Sequence, residues 1–323
     1  MEIFSVKPSF YLFSVLMKKL LRNIIFFFIP IIVVIAILPV DKRLKYQGLK
    51  DDCFNHGIWI YDRLFNNEKP IDIAFIGSSH TINGINDKLI NENIECGKVV
   101  NLGYCRLGRN LSYVFLKELL TQKHIKHLIL EVREDEDRYS HPIFPYVANS
   151  RDVLLPNPFF NRDILADIWT HLSYKTEIFQ DIIYKQEKYA PLSTNDFGIA
   201  SSNDTATSTY LDEIALKRSV LKPPLTKLER NFHMNFARKY LSKISKLCNK
   251  NNVQISFLYL PAYGSPYEKP KEFETYSKYG EILIVPKNIL ENKNNWHDDG
   301  HLNQAGAKEL SLWLSDHINN NWR

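Results

Sequence analysis

Ile71-Asp72-Ile73-Ala74-Phe75-Ile76-Gly77-Ser78-Ser79-His80-Thr81 is a short, mostly apolar run that ends at a glycine and two serines. Its length and β-branched content predict a buried strand that stops at Gly77. The same signal returns at Val99-Val100-Asn101, at His127–Val132 (HLILEV), at Val253–Leu260 (VQISFLYL) and at Ile282–Val285 (ILIV). Between these runs lie stretches of helical periodicity. Leu107–Gln122 carries Leu111, Val114, Phe115, Leu119 and Leu120 on one face, Leu225–Lys250 is a long helix, and Asn303–Ile318 closes the chain. Strands alternating with helices predict an α/β fold: a three-layer arrangement with a parallel sheet, right-handed crossovers and helices on both faces.

The middle of the chain, about 141–224, breaks this rhythm. It carries Pro142, Pro145, Pro156, Pro158 and Pro191 and a polar tract over Ser201–Ser208. It reads as an insertion with a few short helices, which either shapes a substrate groove or serves as a structural cap. The domain as a whole therefore covers 71–323, with this insertion inside it.

Upstream, Ile24–Val40 (IIFFFIPIIVVIAILPV) has no charged residue. At about 1.5 Å rise per residue it nearly crosses a bilayer core, and Leu20 and Leu21 extend it. No small-residue cleavage site follows; the next residues are Asp41-Lys42-Arg43. That favours an uncleaved single-pass anchor over 23–40, between a cytoplasmic tail at 1–22 and a juxtamembrane segment at 41–70. Lys7, Lys18, Lys19 and Arg22 before the span balance Lys42, Arg43, Lys45 and Lys50 after it, so charge alone does not orient it.

The hydrophobic share is 45% and the charged share 24%, the balance of a chain with a real core. The formal charge of +5 is spread among acids without a long basic run, which points away from nucleic acid as a partner. Four cysteines, Cys53, Cys96, Cys105 and Cys248, match no zinc or redox spacing. Outside the cytosol Cys96 and Cys105 can pair; separate thiols are the alternative.

In parallel sheets, ligands bind at the carboxyl ends of the strands. There the first strand presents Ser79 on a strand-to-helix turn. Near the other end of the chain stand Trp296-His297-Asp298-Asp299-Gly300-His301-Leu302-Asn303. A carboxylate three residues before a histidine can hold the imidazole through its Nδ1–H and leave the other nitrogen to take a serine proton. His297, Asp298, Asp299 and His301 as a metal centre is the competing reading. No second cluster supplies further ligands, and that reading leaves the serine unexplained, so neither a metal nor another cofactor is expected. His80 and Arg133 are candidate substrate contacts, although an exposed turn histidine is the plainer reading of His80. Tyr259 and Tyr263 are candidates to line the site.

Gly77-Ser78-Ser79 after the first strand and Asp298-x-x-His301 before the last helix together resemble the SGNH (GDSL-like) hydrolase superfamily. The resemblance spans about 71–138 and 225–323, and Asp298-x-x-His301-Leu302-Asn303-x-x-Gly306-Ala307 is its most specific part. It implies a flavodoxin-like sheet and a triad of Ser79, His301 and Asp298. It also implies an oxyanion hole built from the Ser79 N–H and a glycine of the Asn101-Leu102-Gly103 stretch, which continues to Gly108; either Gly103 or Gly108 takes that place. The family's third block, Gly-x-Asn-Asp, is replaced here by Arg133-Glu134-Asp135-Glu136-Asp137, without an asparagine. Anchored members resemble enzymes that move acyl groups, often acetyl, on cell-envelope glycans and other acylated polymers outside the membrane. They often work beside a membrane-bound O-acyltransferase. The implied activity is a serine esterase or acyltransferase with an extracytoplasmic catalytic domain. The alternative is an SGNH-fold binding or assembly factor with weak or no catalysis, motivated by the missing asparagine.

Overall fold

The structure is a computed structural model that describes residues 9–38, 40–49, 52–53, 56–95, 97–136, 139–155, 161–184, 201–220 and 225–322. Five parallel strands form one sheet in the order β2-β1-β3-β4-β5: β1 Ile73–Ile76, β2 Val99–Asn101, β3 His127–Val132, β4 Gln254–Tyr259 and β5 Glu281–Ile284. The order reverses beside β1, whose neighbours are β2 and β3 (Phe75 opposite Asn101 on one side and Ile129 on the other). That reversal opens a crevice at the carboxyl ends of β1 and β3, where ligands of doubly wound sheets bind.

Every β1 residue is buried, as are all those of β3 except His127. Alternate residues face two separate cores. Ala74, Ile76, Leu128 and Leu130 join one with Val114, Phe115 and Leu119 of α3 (Arg109–Gln122) and with Leu241 and Ile244 of α6 (Lys227–Lys250). Ile73, Phe75 and Ile129 join the other with Leu310, Leu314 and Ile318 of α7 (Gln304–Asn321). Two buried faces explain why these strands read as continuous apolar runs. Cys248, expected only as a thiol without a motif, is a free buried residue of the first core.

The N-terminal apolar segment is helix α1, Ser9–Ile37, longer at its start than the stretch of uninterrupted apolar residues. Phe13–Ile37 is long and apolar enough to cross a membrane, with mean hydropathy 2.7 and no burial against the rest of the chain. Its last turn is fastened to the domain, since the Ala36 carbonyl accepts from Ser150 Oγ at 2.8 Å and from Lys175 Nζ at 2.7 Å. Lys175 belongs to α4, Ile164–Ile183, inside the expected insertion.

Cys105 is disulfide-bonded to Cys53, which replaces both sequence alternatives for it, a pairing with Cys96 and a separate thiol; Cys96 itself lies outside the described residues. The bridge spans 52 residues, so no local spacing signalled it. Together with a bond from Tyr104 Oη to Asp52 at 2.9 Å, it ties the juxtamembrane segment to the loop after β2. Closing a loop of that length removes unfolded-state entropy, so Cys53→Ser should lower unfolding free energy by about 2–4 kcal/mol in chemical denaturation. Non-reducing peptide mapping should recover a Cys53–Cys105 peptide; a Cys96–Cys105 peptide would contradict this pairing.

Candidate active site

β1 runs into Gly77, and a side chain there would collide with Thr81 Oγ1 and Glu131 Oε2, at 2.0 and 2.5 Å from its first carbon. A glycine is what lets the turn close over β3. Ser78 then caps the short helix α2, Ser79–Gly84, accepting from the His80 N–H at 3.1 Å.

Beneath this turn lies Glu131, buried in β3. Its carboxylate accepts from the Ser78 N–H (2.7 Å), Ser78 Oγ (2.6 Å), the Thr81 N–H (3.1 Å) and Thr81 Oγ1 (2.6 Å). Arg133 adds its Nε to Glu131 at 3.1 Å and its Nη2 to Ser78 Oγ at 2.7 Å. Ser78 Oγ thus donates once and accepts twice, the full capacity of a hydroxyl. Burial would raise the Glu131 carboxyl, but Arg133, the ring of His80 and the two hydroxyls hold it down at about 2. The sequence reading passed over Glu131, although a carboxylate in a strand buried on both faces demands such partners.

The first residue of α2, Ser79, meets the loop before α7. His301 Nε2 is 2.8 Å from Ser79 Oγ, and its Nδ1 is 2.8 and 2.9 Å from the two Asp298 oxygens. Asp298 Oδ1 also accepts the backbone N–H groups of Gly300 and His301, each at 2.7 Å. Partial burial works against the charged Asp298, yet these donors hold its carboxyl at about 2, so it stays an acceptor. The Nδ1 of His301 therefore carries the proton, and Nε2 is free to accept from Ser79.

A tight hairpin sets the His301 loop, with Trp296 bridged to Leu302 and the His297 N–H donating to the His301 carbonyl at 2.9 Å. Asn303 caps α7 and reaches back to the Asn294 carbonyl at 2.8 Å. Much of the remaining support comes from the expected insertion. Helix α5, Ser208–Ser219, brings Tyr210 to Asp299 Oδ1 at 2.7 Å and Arg218 to Asp299 Oδ2 at 2.6 Å. Just before it, the Ala206 N–H donates to the Trp296 carbonyl at 2.9 Å, and the Gln304 N–H to the Ser202 carbonyl at 3.0 Å. Residues 201–219 therefore brace the histidine loop, and Arg218 and Ala215 of the same segment also line the neighbouring cavities. The brace uses the side chains of Tyr210 and Arg218 together with backbone groups, and backbone groups leave no trace in residue type.

Ser79 and His301 open into a cavity of about 470 Å³ with His80, Arg106, Leu107 and Arg133 on its walls. His80 is 5% exposed, in contrast to the exposed residue expected of a turn. Its Nδ1–H donates to the Leu260 carbonyl at 3.0 Å and its ring meets that of His301 edge-on at 5.4 Å. Neither Gly103 nor Gly108 is among the cavity-lining residues. The Gly103 N–H donates to Asn101 Oδ1 at 2.9 Å, and Gly108 is needed where the His141 side chain passes, 2.5 Å from where a Cβ would stand. The Asn101 amide donates to the carbonyls of Thr81 (2.9 Å) and Ile85 (2.7 Å), fastening α2 to β2. The loop residue that does face the cavity, Arg106, holds a left-handed backbone at φ 66°.

A second cavity of about 900 Å³ adjoins the first at Ala262 and includes Tyr259 and Tyr263 in its lining. The Tyr259 hydroxyl donates to the Tyr267 carbonyl at 2.9 Å, and both tyrosines are largely buried. Among the described residues, no three His, Cys, Asp or Glu side chains are grouped to hold a metal ion. Asp299 serves Tyr210 and Arg218 instead. No protein-family model matches the chain, and no curated protein matches it.

Three buried histidines titrate in one direction. Burial keeps three histidines neutral, His80 at about 3 and His141 and His171 at about 4, against 6.5 for an ordinary histidine. The unfolded chain therefore binds more protons below pH 6.5, and folding stability falls as pH drops from 6.5 towards 4. Glu131 adds a further loss below its unfolded value of 4.5. The melting temperature should decline steadily over that window; a flat profile between pH 6.5 and 4 would contradict these assignments.

Proposed function

We propose that this protein is a membrane-anchored serine esterase or O-acyltransferase of the SGNH type, acting on acyl esters of a cell-envelope polysaccharide. The observation that carries the reading is the continuous hydrogen-bonded chain from Asp298 through His301 to Ser79. The strand order β2-β1-β3-β4-β5, that of flavodoxin-like sheets, supports the same family, with the serine at the switch point. The Cys53–Cys105 disulfide supports an extracytoplasmic domain, because such bonds persist in oxidising compartments. With α1 as a single-pass anchor, an extracytoplasmic domain goes with an N-terminus in the cytoplasm.

In this mechanism, Ser79 Oγ attacks the ester carbonyl carbon while its proton passes to His301 Nε2. The carbonyl electron pair moves onto oxygen, and the Ser79 N–H donates to that oxygen. Collapse of the intermediate expels an alkoxide, which takes the proton from His301 and leaves an acyl group on Ser79. A water or a sugar hydroxyl then gives its proton to His301 and attacks the acyl carbon, and on collapse the Oγ–C bond breaks and Ser79 Oγ takes that proton back from His301. Asp298 fixes the imidazole and balances the charge it gains. Water makes the enzyme an esterase; a glycan hydroxyl makes it a transferase. A membrane-bound acyltransferase is the partner expected to deliver the acyl group across the bilayer. The adjoining cavity beyond Ala262 gives a polymer room on one side of Ser79.

A second reading, an assembly factor that holds a glycan without turning it over, is favoured by one observation. Asp135, at the position of the family's asparagine, pairs with Lys271 at 2.8 Å and offers no hydrogen-bond donor. Covalent labelling with a fluorophosphonate separates the two. Wild-type protein should label, and Ser79→Ala and His301→Ala should abolish labelling without a loss of melting temperature. A folded wild type that does not label would favour the assembly factor.

A further inference from the structure

We propose that the Arg133 guanidinium completes the oxyanion hole of the Ser79 centre, in the role that an asparagine amide would otherwise fill. The inference rests on the reading of Ser79 as the nucleophile. A hole of this kind needs at least two donors, held in place before charge develops. The Ser79 N–H supplies one.

Several neutral donors near the site are already engaged. The Gly103 N–H donates to Asn101 Oδ1, the Asn101 amide donates to the Thr81 and Ile85 carbonyls, and the His80 Nδ1–H is held by the Leu260 carbonyl. After β3 the chain offers Glu134, Asp135 and Glu136, whose carboxylates accept and do not donate. Three arginines line the cavity: Arg106, Arg133 and Arg218. Arg218 is committed to the Asp299 carboxylate and to the carbonyls of Asp299 and Tyr263. Arg106 is exposed, and among the described residues no hydrogen bond fixes its guanidinium.

Arg133 differs on both counts. One edge of its guanidinium is anchored, Nε on Glu131 Oε1 and Nη2 on Ser78 Oγ, the hydroxyl of the residue bonded to Ser79. Its side chain is 28% exposed against 0% for Glu131, so it stands where the buried carboxylate network meets the cavity. A guanidinium has five N–H groups, and the two bonds to Glu131 and Ser78 use two of them. The rest have no protein partner among the described residues. Glu131 thus holds the arginine in one orientation, so little reorganisation is needed when charge appears.

As the Ser79 Oγ–C bond forms and its proton passes to His301, the carbonyl electron pair settles on oxygen. That oxygen accepts from the Ser79 N–H and from Arg133. On collapse the pair returns to the carbonyl, the alkoxide leaves with the proton from His301, and Arg133 remains protonated throughout. Its positive charge stands in for the geometry of the missing amide, and acts most strongly in the transition state.

The test uses the purified full-length protein in detergent with 4-nitrophenyl acetate, a neutral ester that an anion-recognising arginine would have no cause to read. Arg133→Met should lower kcat by about 100- to 1000-fold, the usual effect of removing one oxyanion donor, with KM nearly unchanged. Methylguanidinium in solution should restore part of the rate to Arg133→Ala. Arg133→Lys, which keeps charge and stem but not the fork, should fall between, and carries the test if the methionine variant melts early. Wild-type kcat in Arg133→Met, on a protein whose wild type still labels at Ser79, overturns the proposal and leaves the serine reading intact. A raised KM with unchanged kcat also overturns it, assigning Arg133 to substrate binding. A kcat loss in Arg106→Ala and none at Arg133 moves the donor to Arg106. A wild type that neither labels nor turns over ester removes the serine reading and this proposal together.

Discussion

The carboxylate of Glu131, buried between two cores, organises the turn that carries Ser79. It gathers two backbone N–H groups, two hydroxyls and one guanidinium from the β1 turn, α2 and the end of β3. A charge at that depth is tolerable only with such a set of donors, and each donor is fixed by serving it. The first residue of α2 therefore leaves the strand at one angle, and its hydroxyl points where His301 can meet it. Gly77 makes the close approach sterically open, and Asn101 ties the far side of α2 to β2.

The histidine arrives from the other end of the chain and needs its own support. Asp298 orients the imidazole, but the loop carrying both residues would be free to move without the brace at 201–219. Arg218 and Tyr210 take hold of Asp299, the residue next to Asp298 in the chain, while backbone bonds fix Trp296 and Gln304. A two-point bond from a planar guanidinium fixes direction as well as distance. The same logic recurs at Arg133. In both places an arginine held by a carboxylate borders the cavity, and rigidity at the site comes from ion pairs more than from apolar packing.

The sequence carried the sheet clearly, because strands buried on two faces, as β1 and β3 are, leave unbroken apolar runs; the edge strand β5, exposed at Glu281 and Ile284, still lies within a residue of its predicted run. Edges shifted by a residue or two; β5 begins at Glu281 and α7 at Gln304, with Asn303 as its cap. Asp298 and His301 were legible as a carboxylate three residues before a histidine, and Ser79 as a serine on the turn after a buried strand; the structure brings the three into hydrogen-bond distance. What stayed hidden depended on backbone partners or distant pairs. The brace at 201–219 joins the histidine loop through backbone N–H and C=O groups that every residue has, and through Tyr210 and Arg218, which lie about 80 to 90 residues before Asp299 in the chain. Cys53 lies 52 residues from its partner, and the glycines after β2 serve close packing around Ile82 and His141, which no local pattern separates from a catalytic role. Glu131 was visible as an anomaly, one carboxylate inside an apolar strand, and its weight in the structure follows from that position.

The most direct test of the account is to find the acyl group on the nucleophile. Full-length protein mixed with 4-nitrophenyl acetate, quenched with acid at short times and digested, should yield a peptide acetylated at Ser79 and at no other serine. Replacing His301 with alanine should prevent its formation. A peptide acetylated at Ser78 or elsewhere, or turnover with Ser79 unmodified at every time, would contradict the claim that Ser79, His301 and Asp298 form the catalytic unit.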